Sequence, residues 1–162
     1  MVGRLEISED GLTAGLDRMI AAVTDWTPAM TAIAGLMESH TRLRFETGEG
    51  PDGQAWTPSQ RVLAEGGRTL VDTGALLSSI AAMSDSTSAA VGTNLVYAAV
   101  HQKGGRLRPR AGSGKRALKT PFGPRAAVNM PARPFLGFGR AEREDIPKIL
   151  ADHVLAAARG RR

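Results

Sequence analysis

The residues with the most pointed chemistry in this chain are Leu70-Val-Asp-Thr-Gly-Ala75. Two apolar residues followed by Asp-Thr-Gly-Ala is the active-site pattern of aspartic proteases. In the retroviral type each subunit supplies one carboxylate and the pair shares a proton. Phe135-Leu-Gly137 further along loosely matches the apolar support of such a loop. The surroundings point elsewhere, because these proteases are nearly all β whereas residues 12–45 carry helical apolar periods. In the structural reading Asp72 or Thr73 caps a turn and Gly74 supplies an unusual backbone angle. A retroviral-type protease built on Asp72-Thr73-Gly74 stands as the second alternative, and Asp72→Asn would abolish its pepstatin-sensitive cleavage.

Other reactive groups are sparse. The three histidines, His40, His101 and His153, are scattered and show no paired metal-ligand spacing. His101 lacks a sequence-level nucleophile or orienting partner and reads as a structural histidine. Ser78 and Ser79 lack a Gly-x-Ser-x-Gly setting. Gly112-Ser-Gly-Lys-Arg116 fails as a phosphate loop, since Pro109 stands where the first glycine belongs and Arg116 where Ser or Thr must follow the lysine. The chain contains no cysteine, which removes disulfides, thiolate nucleophiles and cysteine metal sites and fits a reducing cytoplasm. No catalytic set, metal site or cofactor is expected.

Charge carries more content. The net charge is +5, yet residues 103–125 hold Lys103, Arg106, Arg108, Arg110, Lys115, Arg116, Lys119 and Arg125 with no acid, leaving 13 basic and 16 acidic groups elsewhere. Such a block meets solvent or an anionic partner. Neither a secretory signal nor an apolar run of membrane-spanning length is visible, so no membrane partner is expected.

The elements that position these residues can be read locally. The 162 residues, 42% hydrophobic and 4% aromatic, make a single domain over 1–162 with an aliphatic core. Leu5 to Ile7 alternates as a short strand. Leu12, Leu16, Met19, Ile20 and Val23 give a first helix ending near Asp25. Thr27 as cap and Pro28 at the first position open a second, with Met30, Ile33 and Met37 on its buried stripe to about Phe45. Residues 48–67 form a turn-rich connection anchored by Trp56. A β-hairpin is expected around Ser84-Asp-Ser-Thr-Ser88, then one helical turn from Tyr97 to Gln102. Residues 103–130 lack an apolar period and form a basic projecting arm, within which Leu118 and Phe122 are candidates for packing, a strand pair being one option, and Pro131 and Pro134 impose an extended return. Ile146, Ile149, Leu150, Val154 and Ala157 mark a final helix, with the turn before Pro147 a separate short one. The fold class is α+β: a small, mainly antiparallel sheet packed by the long helix and the C-terminal helix.

Four segments in order then carry a resemblance: Trp56 with Pro58, Thr73-Gly-Ala-Leu-Leu-Ser-Ser-Ile80, Gly92-Thr-Asn94 with Tyr97-Ala98 and His101-Gln102, and Pro131-Ala-Arg-Pro-Phe-Leu-Gly137. Across roughly residues 56–155 the chain resembles the virion morphogenesis (tail completion) proteins of Mu-like tailed bacteriophages. The resemblance implies a structural protein of the virion neck, at the head-tail junction, assembled in the bacterial host cytoplasm. Such a protein completes the tail tube as a ring, commonly hexameric. Its implied partners are copies of itself, the tail tube protein and the head connector or adaptor protein. Trp56, Thr73, Gly74, Ile80, Gly92, Asn94, Tyr97, His101, Gln102, Arg133, Pro134 and Phe135 are then structural motif residues. The basic arm would dock on an acidic neighbouring subunit or contact packaged DNA in the lumen without sequence preference. The alternative from another class is a small basic DNA-binding protein.

Overall fold

A computed structural model describes residues 9–110, 114, 116–120 and 123–159. The expected strand at Leu5 to Ile7, and the side chains of Lys115 and Phe122, lie outside the described residues. The architecture is α+β. Six helices and six short strands are described, the strands paired in three two-stranded ladders. The chain divides into two compact units, Met1–Glu38 with Ala82–Val91 and Arg140–Arg162, and Ser39–Ala81 with Gly92–Gly139.

The first unit is mainly helical. Helix α1 (Glu9–Thr24) and helix α6 (Arg140–Ala158) pack together. Ile146, Ile149, Leu150, Val154 and Ala157 of α6 are all half-buried. Helix α2 (Thr27–Thr47) begins after a two-residue break, and Asp25 Oδ1 accepts from the Thr27 N–H at 2.9 Å. Asp25 therefore does the capping expected of Thr27, satisfying an amide that has no helical partner. His153 Nε2 lies 3.0 Å from the Asp25 carbonyl, and its ring stands 5.5 Å from that of Trp26. Helix α6 is continuous through Pro147 rather than broken before it. The ring is exposed, so the carbonyl that loses its amide donor can turn to water.

Strands β1 (Ala81–Ser84) and β2 (Ala89–Gly92) pair across the expected turn. Asp85 Oδ1 accepts from the Thr87 and Ser88 N–H groups, both at 2.8 Å, and Oδ2 from the Ser88 hydroxyl at 2.7 Å. These bonds, the Ser88 hydroxyl foremost, lower the Asp85 carboxyl to about 2.

The second unit holds an aromatic core that the low aromatic content obscured. Phe45 and Phe135 are fully buried, their rings 5.3 Å apart, and Trp56 meets Phe45 edge-on at 5.6 Å. Leu76, Ile80 and Ala98 are buried in the same unit. Helix α3 (Gln60–Glu65), capped by Ser59, lies inside what the sequence offered as plain connection. Helix α4 (Ala75–Ser78) follows Gly74, and helix α5 (Ala98–Lys103) is the expected helical turn.

The basic segment has a backbone order of its own. Strand β3 (Gly105–Leu107) pairs antiparallel with β6 (Val128–Met130), matching Arg106 to Asn129. Strand β4 (Leu118–Thr120) pairs with β5 (Gly123–Arg125). A strand ladder needs only backbone donors and acceptors, and strands of three residues are too short for their alternation to stand out in the sequence.

Candidate functional site

Two of the other three motif segments, those of Trp56 and of His101-Gln102, converge on residues 131–137. Arg133 is 3% exposed, and its Nε donates to the Thr57 carbonyl at 2.7 Å and its Nη2 to the Pro58 carbonyl at 3.3 Å. Trp56 Nε1 donates to the Pro134 carbonyl at 2.9 Å. Gln102 does most: Oε1 accepts from the Phe135 and Leu136 N–H groups, each at 3.0 Å, while Nε2 donates to the Leu136 carbonyl at 2.8 Å. The His101 carbonyl accepts from the Arg133 N–H at 2.7 Å. An extended proline-rich segment has no ladder to satisfy it, and side chains from α5 and the Trp56 segment supply the missing partners.

The remaining motif joins through hydroxyls. Ser79 Oγ and Thr93 Oγ1 are 2.6 Å apart, linking the end of α4 to the Gly92-Thr-Asn segment. Thr93 Oγ1 also accepts from the Leu95 N–H at 3.2 Å. Ile80 is buried and its carbonyl accepts from Arg42 Nη2 at 2.9 Å. Gly92 is half-buried, whereas Asn94 and Tyr97 are exposed.

Two glycines are fixed by this arrangement. Gly104 ends α5 at φ 68°, and a Cβ there would fall 2.6 Å from the Ala132 nitrogen and 2.9 Å from the Met130 carbonyl. Gly137 has φ 153°, and its Cβ would meet Pro51 at 2.9 Å.

His101 sits within the clamp. Its Nδ1 is enclosed without a hydrogen-bond partner, and its ring meets Tyr97 edge-on at 5.9 Å. Burial first, and the Arg133 charge second, push its pKa below the ordinary 6.5. Burial likewise lowers Arg133 from the usual guanidinium value. Both shifts come from a clamp that desolvates charge.

The Asp72 carboxylate is 75% exposed and lies 3.5 Å from Arg61 Nε. Thr73 Oγ1 accepts from the Ala75 N–H at 3.3 Å, and Gly74 at φ 80° starts α4. The loop is thus a capped helix entry, and an exposed, ion-paired carboxylate is unsuited to sharing a proton with a second one. Among the described residues, no group of three or more His, Asp or Glu can hold a metal. No described helix is long and apolar enough to cross a membrane.

The arm cations form the other candidate. Lys103, Arg106, Arg108, Arg110, Arg116, Lys119 and Arg125 are all exposed. From Arg106 to Arg110 exposure alternates with half-buried Leu107 and Pro109. Period-two alternation sends the three arginines to one side of an extended chain.

Sequence reasoning missed Arg44 and Arg61. Arg44 is buried and its Nη1 donates to the Phe135 carbonyl at 3.0 Å. Its signal was available, because Ile33, Met37, Thr41 and Arg44 share one helical stripe, so a cation there needs buried acceptors. Arg61 Nη2 donates to the Arg68 and Val71 carbonyls at 2.9 and 2.8 Å, and no sequence pattern marks those bonds.

With this geometry in place, comparison with known proteins is informative. The model of the phage virion morphogenesis family matches residues 7–155. The chain is 36% identical over 142 residues to Mu-like prophage FluMu G protein 2 of Haemophilus influenzae, covering 88% of this chain and 88% of that protein. No solved structure gives a significant match.

Proposed function

This chain belongs to the phage virion morphogenesis family, and from that premise we propose that it is a structural protein of the virion neck that completes the tail tube and joins it to the head connector as a ring of its own copies. The observation that carries this reading is how the motif side chains are spent. Trp56, Gln102 and Arg133 bond to backbone groups, fixing the 131–137 segment next to the base of the basic ladder. A clamp of this kind holds a surface in place, which is what a binding protein requires. Its partners in this reading are the tail tube protein and the head connector or adaptor protein, and packaged DNA passes through the lumen.

A clean deletion in the phage tests this directly. Electron microscopy should show DNA-filled heads and separate tails, and normal infectious particles would overturn the reading. Contact between the arm and DNA is a second reading, favoured by the exposed cations at Arg106, Arg108 and Arg110. Each neutralised phosphate would contribute about 0.9 to the salt slope on duplex DNA, without sequence preference.

A further inference from the structure

Helix α1 carries an apolar stripe that is exposed among the described residues. Leu12, Leu16, Ile20 and Val23, spaced 4, 4 and 3 residues apart, share one face and are 48–62% exposed. Gly15 and Met19, on the flank of that face, are half-buried. A contiguous aliphatic face on a soluble helix marks an interaction surface.

The other unit offers a receptor of different shape. A groove of about 270 Å³ is lined by Leu95, Ala99, Lys103 and Leu136 among others. Val96, Tyr97 and Phe138, at 94%, 45% and 55% exposed, lie within two residues along the chain of the lining residues Leu95, Ala98 and Leu136.

Charge identifies the occupant. The unit bearing the stripe holds 8 basic and 11 acidic residues, a net of −3, and the unit bearing the groove holds 13 basic and 5 acidic, a net of +8. Residues 92–139 alone carry nine bases and no acid. Each unit therefore complements the other unit of a second copy in charge, and the stripe and the groove are both mainly apolar.

We propose that α1 of one copy docks, by its Leu12–Val23 stripe, into the Leu95–Lys103 groove of the next, making a head-to-tail contact between copies of this chain. Because the two surfaces differ, the contact is heterologous and repeats, generating a ring or an open helical array. The inference rests on the ring reading above and supplies its interface.

The test uses the full-length chain, with mass measured by light scattering during size exclusion over a range of protein and salt concentrations. The wild type should form oligomers that weaken but persist as salt rises, since screening removes only the charge contribution. Leu16→Glu with Ile20→Glu on the stripe, and separately Val96→Glu with Phe138→Glu at the groove, should each weaken association about a hundredfold or more. All four positions are exposed, and unchanged circular dichroism and melting temperature will establish that both variants fold. Mixing the two variants provides the decisive readout. Each retains one intact surface, so together they should form a 1:1 heterodimer that cannot grow.

A wild type that stays monomeric throughout would overturn the ring reading together with this interface. Oligomers that survive both variants would overturn the interface alone. Failure of two folded, monomeric variants to form a heterodimer would likewise refute the head-to-tail pairing.

Discussion

Replacing Phe135 with alanine probes the clamp at its centre. The side chain is fully buried, 5.3 Å ring to ring from Phe45, which in turn meets Trp56. Removing a buried Phe forfeits its transfer free energy and leaves a cavity, about 3–5 kcal/mol in all. The aromatic neighbours argue against the low end, since ring pairs contribute about 0.5–1.5 kcal/mol beyond area. Domains are stable by about 5–15 kcal/mol in total, so the variant should be marginal. At roughly 2–4 °C per kcal/mol for a chain of this size, its melting temperature should fall by roughly 6–20 °C, or the protein should be recovered insoluble. Phe135→Leu, which keeps most of the volume, should lose less than half as much. Calorimetry and urea titration measured on the same preparations check both values. A soluble Phe135→Ala protein with an unchanged melting temperature would refute the reasoning and make Phe135 an exposed anchor for a partner.

The same clamp makes Gln102→Ala costly, because the Phe135 and Leu136 N–H groups both lose their acceptor; about 2–4 kcal/mol is expected by denaturant titration. His101 has a folded pKa below its ordinary 6.5, so the folded state binds its proton less readily than the unfolded one. Its contribution is present above about 6.5 and is lost as pH falls through the lower folded value, and His101→Phe should flatten that part of the stability profile. Changing Arg106, Arg108, Arg110, Lys115 and Arg116 together to Ser should leave the melting temperature close to wild type, since the four arginines are exposed and such cations contribute little to folding. Oligomer mass and DNA affinity across salt then separate the arm's two expected partners: lost oligomers mark subunit docking, and intact oligomers with a flattened salt slope mark DNA.

Much of this protein is written locally. The 3.6-residue periods set the helices at 9–24 and 27–47 to within a few residues, and the body of the last one from Ile146 on, because an amphipathic stripe is a property of one segment. The turn at Ser84–Ser88 was legible for the same reason, since Asp85 caps amides only two and three residues away. The family resemblance was legible too, carried by four short motifs whose order survives without knowledge of the fold. What those motifs do was decided only by tertiary structure. Arg44 reaches Phe135 across 91 positions, Trp56 reaches Pro134 across 78, and Gln102 reaches Leu136 across 34. Each bond joins a side chain to a backbone carbonyl, and every residue has one of those, so no residue type at the far end could announce the pairing. The ladder at 105–107 with 128–130 escaped for a related reason, as three-residue strands are too short for their alternation to stand out, whereas Leu118 and Phe122 had already offered a strand pair around 118–125. The α1 stripe shows the converse: the sequence specified an apolar face, and only the fold determined that the other described residues leave Leu12, Leu16, Ile20 and Val23 exposed.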